Sequence, residues 1–295
     1  MSRTIEKVAV IGSGVMGAGI AAHCANAGCE VLLLDIVSKD EQDRSSLARN
    51  AIQMMHKSNP EMLMHKRNAR RIKPGNIEDD LEQLRDFDWV VEVIIENLEI
   101  KRNLYSKLSK HIGPNTILSS NTSTLPRTEL IAELPAEVAS RFLITHFFNP
   151  PRYLPLLEVV TSPEVDEDIV QRFCRFADLK LGKRVTMCND RPGFIGNRLG
   201  IYFIQRAFKA TLDHGLSVEQ ADAMLGRPIG LPKTAVFALM DLVGIDLIPH
   251  VTQSLLSHLP DEDPFHQIAG VGEDIVLSMI EEGYTGRKGK GGFYR

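Results

Sequence analysis

Along the first half of the chain, short apolar runs rich in β-branched residues alternate with segments whose apolar positions recur at the helical period, the pattern of a parallel sheet covered by helices. Val8-Ala9-Val10-Ile11 predicts a first strand and Glu30-Val31-Leu32-Leu33-Leu34-Asp35 a second. Asp88-Trp89-Val90-Val91-Glu92-Val93-Ile94-Ile95 predicts a third and Thr116-Ile117-Leu118-Ser119 a fourth. Continuous apolar runs of this kind suit strands buried on both faces. A long polar stretch from Ser38 to Asp86 has helical character around Ser45–His56 and a basic segment from His65 to Lys73, and closes on the turn signal Pro74-Gly75-Asn76. Phe142-Leu143-Ile144-Thr145 and Leu156-Leu157-Glu158-Val159-Val160 predict two more strands around the turn-rich Asn149–Pro155. A helix over about Asp166–Lys180 and a strand around Val185-Thr186-Met187 follow. After Asp190-Arg191-Pro192-Gly193 the pattern is helical, with stops at Gly215, Gly226, Pro228, Gly230 and Pro260. The expected architecture is α/β: a Rossmann-type domain over residues 1–189 and an all-α domain over 190–295.

Composition narrows the function classes. The chain has 295 residues, 43% hydrophobic and 24% charged, with a formal charge of -4, enough for two domains with their own cores. No apolar run reaches the roughly 18 residues of a membrane helix, so no membrane insertion is expected. The slightly acidic balance argues against nucleic-acid binding. Cys24, Cys29, Cys174 and Cys188 lack metal-ligand or redox spacing and stand among apolar residues, so buried thiols are expected and no metal site. The start, Met1-Ser2-Arg3-Thr4-Ile5-Glu6-Lys7, leads straight into the first strand without a leader pattern, and a cytoplasmic location is the expectation.

The first strand is followed by Gly12-Ser13-Gly14-Val15-Met16-Gly17 and an Ala-rich helix to Ala27. A glycine fingerprint after a strand, opening a helix, in a β-α-β unit whose second strand ends in an acid, points to a dinucleotide site. Gly12 serves the tight turn, Gly14 the close approach of a pyrophosphate and Gly17 the packing of helix on strand. The helix N-terminus supplies N–H groups and a positive dipole end. Asp35 would accept hydrogen bonds from ribose hydroxyls and repel a 2′-phosphate, and Ile36 and Val37 offer no compensating arginine, so NAD is preferred to NADP. A flavin nucleotide uses the same fingerprint.

Ser119-Ser120-Asn121-Thr122-Ser123-Thr124-Leu125 follows the fourth strand, where the carboxyl ends of strands face the ligand crevice. The same residue types also serve as a helix N-cap region. His146 likewise follows a strand. Twelve residues on, Glu158 lies among Leu157 and Val159, a costly place for a carboxylate without a partner. The Pro-rich turn between them can return the chain and bring the two together, the carboxylate taking the Nδ1 proton and raising the basicity of Nε2.

Gly12-x-Gly14-x-x-Gly17, Val91-Glu92-Val93-Ile94-Ile95-Glu96-Asn97, Ser120-Asn121-Thr122-Ser123, His146-Phe147-Phe148-Asn149-Pro150, Glu158 and Arg191-Pro192-Gly193-Phe194-Ile195-Gly196-Asn197-Arg198 together resemble the 3-hydroxyacyl-CoA dehydrogenase family. The likeness runs to Gly286-Arg287-Lys288 and Gly292-Phe293-Tyr294. It implies an NAD-binding domain, a helical domain, a substrate cleft between them and oxidation of an (S)-3-hydroxyacyl-CoA. Carried over residue by residue, the general base falls on His146, its acidic partner on Glu158, the serine at the substrate oxygen and nicotinamide on Ser123, and the asparagine of the second domain on Asn197. Cofactor contacts fall on Gly12, Ser13, Gly14, Val15, Met16, Gly17, Asp35, Glu96, Lys101, Asn149 and Lys288, although Lys288-Gly289-Lys290-Gly291 departs from the usual spacing. The family's CoA contacts lie in a segment where this chain is diverged. Lys66, Arg67, Arg70, Arg71 and Lys73 are candidates, equally readable as a solvated face.

Two other readings stay open: a related dehydrogenase of a free hydroxy acid, of the sugar-acid or carnitine type, and a non-catalytic protein that has kept the fold. Asn149-Pro150-Pro151-Arg152-Tyr153 and Pro74-Gly75-Asn76-Ile77-Glu78-Asp79-Asp80 are similar to the dehydrogenase portion of large fused β-oxidation proteins. A longer parent chain is therefore an expectation, as is a homodimer formed through the helical domain.

Overall fold

The computed structural model describes residues 4–40 and 42–294. Met1-Ser2-Arg3, part of the segment read for a leader, lie outside the described residues. The chain divides into two compact units, Met1–Arg191 and Pro192–Arg295, against an expected boundary at 189.

Unit 1 is built on one eight-stranded sheet in the order β3-β2-β1-β4-β5-β6-β7-β8. The strands are β1 (Lys7–Ile11), β2 (Glu30–Asp35), β3 (Ile72–Asn76), β4 (Trp89–Glu92), β5 (Ile117–Ser120), β6 (Phe142–Phe147), β7 (Leu156–Val160) and β8 (Arg184–Cys188). All neighbours pair in parallel except β6 and β7, which are antiparallel. The order 3-2-1-4-5-6 is that of the doubly wound dinucleotide fold, whose crevice opens at the carboxyl ends of the strands where the order reverses, here between β1 and β4. Helices α1 (Val15–Asn26), α2 (Ser46–Met55), α3 (Leu98–Leu108) and α6 (Glu167–Leu179) connect these strands, with single turns α4 (Arg127–Leu130) and α5 (Ala136–Ala139) after β5.

The near-continuous apolar runs of β1, β2, β4 and β5 are buried because helices cover both faces. Trp89 on β4 is fully buried, packs edge-on to Phe173 and Phe176 of α6 at 5.1 and 5.9 Å, and donates from Nε1 to Ser119 Oγ at 2.8 Å. Asp166 caps α6, accepting from the Asp168 N–H at 3.0 Å. Truncating Phe173 to alanine would cost about 3–5 kcal/mol of stability.

Three expectations are corrected. Pro74-Gly75-Asn76 is not a turn but the end of β3. As an edge strand β3 has one hydrogen-bonded side, so proline is tolerated there. The third predicted strand stops at Glu92 rather than Ile95, because the Ile94 N–H turns back to the Glu92 carboxylate at 2.7 Å. His146 lies within β6 rather than after it.

Unit 2 consists of α7 (Gly196–Asp213), α8 (Val218–Leu225), α9 (Phe237–Val243), α10 (Leu247–His258) and α11 (Glu273–Glu281), with short 3-10 turns between. Among the described residues its one strand-like feature is the bridge Gly286–Gly291. Phe237 packs on Phe208 and Phe293 at 5.3 and 5.0 Å, while buried Asp222 caps α9 through the N–H groups of Val236, Phe237 and Ala238. Among the described residues no helix is long and apolar enough to cross a membrane, and no group of three or more His, Cys, Asp or Glu could hold a metal. Cys24, Cys29 and Cys188 are buried and Cys174 is half-buried, and none of the four is in a disulfide. Burial raises the Cys24 thiol well above its ordinary value and that of Cys29 to about 11.

Candidate active site

The glycine turn joins β1 to α1 and takes its shape from crowding. Gly12 has φ +108°, and a Cβ there would fall 2.4 Å from the Val93 carbonyl oxygen. A Cβ on Gly17 would fall 1.8 Å from the Gly12 oxygen, so helix and strand touch there through backbone alone. Gly14, the α1 N-cap, has nothing within 4 Å of its missing Cβ. The first turn of α1 carries no acid, so its N–H groups face an open, electropositive approach. Asp35 closes the turn from the end of β2. Its carboxylate accepts from the Ser13 N–H at 2.7 Å, from Ser13 Oγ, and from the Ile36 N–H at 2.7 Å. An open side at Gly14, a helix end without acids and a carboxylate at the next strand end fit a dinucleotide with a free 2′-hydroxyl.

His146 and Glu158 are directly opposed in the β6–β7 ladder, so their side chains share one face. Glu158 is fully buried and His146 is 6% exposed, with Nδ1 2.7 Å from Glu158 Oε2. In that geometry Nδ1–H donates to the carboxylate and leaves Nε2 as the acceptor. The Phe148 ring lies 4.5 Å from the imidazole.

The segment after β5 is tied to its neighbours on both sides. Asn121 Oδ1 accepts from the Phe147 N–H at 2.9 Å, next to His146. Glu96, after β4, accepts from Thr122 Oγ1 at 2.5 Å and from the N–H of Ser123 at 3.1 Å. Burial pushes the Glu96 carboxyl up, but the Lys101 ammonium and these hydrogen bonds outweigh it and hold the group below its usual value. Lys101, on α3, is 1% exposed and reaches Glu96 Oε2 at 3.3 Å and Glu92 Oε1 at 2.6 Å.

Asn149 and Val15 line one cavity of about 160 Å³ with Gly19, the loop 58–62 and the turn 150–153. The turn is held by Lys183, whose Nζ donates to the carbonyls of Pro151 and Leu154, the latter at 2.7 Å. Arg152 and Tyr153 reach the Glu61 carbonyl at 2.7 and 3.0 Å. Pro151 packs where a Cβ on Gly19 would come within 3.0 Å.

Unit 1 thus gathers Gly12–Gly17, Asp35, Glu96, Lys101, Ser123, His146, Asn149 and Glu158 at the carboxyl-end side of the parallel strands. Asn197 and Lys288 belong to unit 2: Asn197 lies in the first turn of α7, and Lys288 pairs with Asp246 at 2.7 Å. The basic segment is not gathered with them. Lys66–Arg71 form a 3-10 turn leading into β3, whose Ile72 pairs with Val31 near the start of β2, so these cations sit at the opposite, amino-end edge. Glu92 received no role from its sequence, although it carries the signal that marked Glu158: a carboxylate inside an apolar run, Val90-Val91-Glu92-Val93.

Residues 7–191 match the NAD-binding domain of 3-hydroxyacyl-CoA dehydrogenase, and residues 193–295 match the C-terminal domain of the same enzyme. The chain belongs to the 3-hydroxyacyl-CoA dehydrogenase family. A relative from Rickettsia felis, described as a trifunctional enzyme of the fatty acid oxidation complex, is 44% identical over all of this chain, which spans 41% of that relative's length. One from Deinococcus radiodurans, described as a 3-hydroxyacyl-CoA dehydrogenase, is 42% identical over 99% of this chain and 83% of its own. The crystal structure of (S)-3-hydroxybutyryl-CoA dehydrogenase from Ralstonia eutropha superposes with a TM-score of 0.77 at 28% identity, covering 99% of each chain. Membership carries the NAD-binding assignment of unit 1.

Proposed function

We propose that the chain catalyses the reversible, NAD-dependent oxidation of an (S)-3-hydroxyacyl-CoA to the 3-ketoacyl-CoA. The observation that carries the reading is the buried His146–Glu158 pair, 2.7 Å apart, on the same sheet edge as the glycine turn and the Ser123 loop. Glu158 holds the imidazole in one tautomer and orientation, so that Nε2 takes the proton of the substrate 3-hydroxyl. Bound NAD supplies the acceptor for the hydride leaving C3. Ser123 holds the substrate oxygen while its charge develops, and Asn197 is assigned a second hydrogen bond to that oxygen. Gly12–Gly17, Asp35, Glu96, Lys101, Asn149 and Lys288 are assigned to the dinucleotide.

The relatives' names support an acyl-CoA over a free hydroxy acid, as does the His146-Phe147-Phe148-Asn149-Pro150 string. The test is oxidation of NADH followed by its absorbance, with acetoacetyl-CoA against free keto acids. Turnover confined to the free acids would assign the chain to the sugar-acid or carnitine type. NADH binding without turnover of any substrate would assign it to a non-catalytic role.

A further inference from the structure

Glu92 is fully buried at the end of β4, and its carboxylate gathers four donors: Lys101 Nζ at 2.6 Å, Tyr105 OH at 2.5 Å, Ser120 Oγ at 2.6 Å and the Ile94 N–H at 2.7 Å. Four donors satisfy both oxygens of a carboxylate at 0% exposure. Glu92 is in turn the nearer counter-charge of Lys101, at 2.6 Å, in a place that water hardly reaches. From Lys101 the contacts run on to Glu96 Oε2 at 3.3 Å, and from Glu96 Oε1 to Thr122 Oγ1, the Ser123 N–H, and the N–H and Oγ1 of Thr124. One line of charge-assisted contacts therefore joins the end of β4, the first turns of α3 and the loop after β5.

We infer that Glu92 is a positioning residue for the cofactor side of the site, acting through Lys101. The inference rests on the proposed assignment of Lys101, Glu96 and Ser123 to dinucleotide and substrate. The ammonium has two carboxylates within reach, but they differ in setting: Glu92 is fully buried, and the Glu96 side chain is 36% exposed. With the Glu92 carboxylate in place, the buried end of Lys101 is anchored and Glu96 stays oriented toward Thr122 and Ser123. With Glu92 replaced by glutamine, Glu96 is the one carboxylate left within 4.0 Å of Lys101 among the described residues. The ammonium then draws it inward, away from the loop that carries Ser123. Tyr105 and Ser120 fix the other oxygen of Glu92, so its plane does not depend on the cofactor being present.

The test compares Glu92→Gln, Lys101→Met and the double variant by NADH fluorescence titration, steady-state kinetics and thermal unfolding. Leu108→Ala, a fully buried core truncation on the same helix, serves as the control for lost stability alone. Glu92→Gln is expected to weaken NADH binding and raise KM for NAD about tenfold or more. In the Lys101→Met background the same change should add less than about twofold, because residues acting as one unit are not additive. Glu92→Asp, which keeps the charge, should recover most of the affinity. Should Glu92→Gln not fold, Glu92→Asp provides the comparison, weakening NADH binding about two- to threefold in the natural background and not in Lys101→Met. A lowered melting temperature with unchanged NADH affinity, as expected for Leu108→Ala, overturns the inference. So do effects that multiply independently in the double variant. Absence of acyl-CoA turnover in the natural chain would instead overturn the functional reading, while the NADH titrations would still decide the role of Glu92.

Discussion

Nδ1 of His146 meets Oε2 of Glu158 at 2.7 Å because the two residues face each other across the one antiparallel pairing in an otherwise parallel ladder. Removing the imidazole and removing the carboxylate's charge should therefore be graded versions of one defect. His146→Gln is expected to lower kcat by about 10²–10⁴-fold, the usual contribution of general-base catalysis. Glu158→Gln keeps the volume and one acceptor oxygen and should cost less, about 10–100-fold, the range seen when an orienting partner is lost. Both should keep NADH affinity, read by fluorescence titration. Near-normal turnover of acetoacetyl-CoA by His146→Gln would refute the assignment.

The glycines of the turn predict opposite costs. Gly14 has open space where a Cβ would go, whereas the Cβ of an alanine at 17 would overlap the Gly12 carbonyl. Gly14→Ala should leave the melting temperature unchanged and weaken NADH binding at least about tenfold, since it fills the approach of the pyrophosphate. Gly17→Ala should destabilise unit 1 by roughly 1–3 kcal/mol, the usual cost of overpacking. Calorimetry and NADH titration on the same two variants separate the effects.

The proposed role of Asp35 makes the choice between cofactors a matter of charge. Asp35→Asn keeps an oxygen for the Ser13 donors and removes the repulsion against a 2′-phosphate. The ratio of kcat/KM for NAD over NADP should fall about tenfold or more, matching a repulsion of roughly 1–4 kcal/mol at about 4 Å. An unchanged ratio would show that the discrimination lies elsewhere.

His23, on α1, gives the acid side of the stability curve. Burial first, and the Lys183 ammonium second, lower its pKa from 6.5 to about 4. The unfolded chain therefore binds a proton below about 6.5 that the folded chain refuses until about 4. Stability present above pH 6.5 is lost as the pH falls through this window, on the order of 2–3 kcal/mol after discounting for partial exposure. Urea midpoints followed from about pH 7 down to about pH 4 should fall less steeply in His23→Gln, which still offers an N–H to the Leu181 carbonyl. Parallel curves would refute the role.

Much of the fold and of the site is legible in the amino-acid sequence, and what is not has physical causes. Strands buried on both faces announce themselves as apolar runs, and β2 and β7 have the predicted bounds. The edge strand β3 does not, because Pro74, Gly75 and Asn76 read as a turn and one row of hydrogen bonds to β2 is all they need. Glu158 is legible because its partner lies within the same turn-linked pair of strands. Glu92 carries the same anomaly, but its side-chain partners come from α3 and β5, and no local pattern pairs them. Lys183 is equally silent: its role as the clamp on Pro151 and Leu154 exists only once the chain has returned past them.

The reversal of direction between β6 and β7 has a consequence for how this site can vary. Side chains alternate along a strand, so β7 can shift along β6 only in steps of two residues if a carboxylate is to remain on the imidazole's side. A slip of one presents Leu157 or Val159 to His146 and turns Glu158 into the opposite layer of the fold. Changes of chain length between Phe147 and Glu158 thus obey a parity rule unless the Asn149–Pro155 turn absorbs them whole. In this protein the tolerance of a surface turn to insertion and the integrity of the buried His146–Glu158 pair are set by the same count.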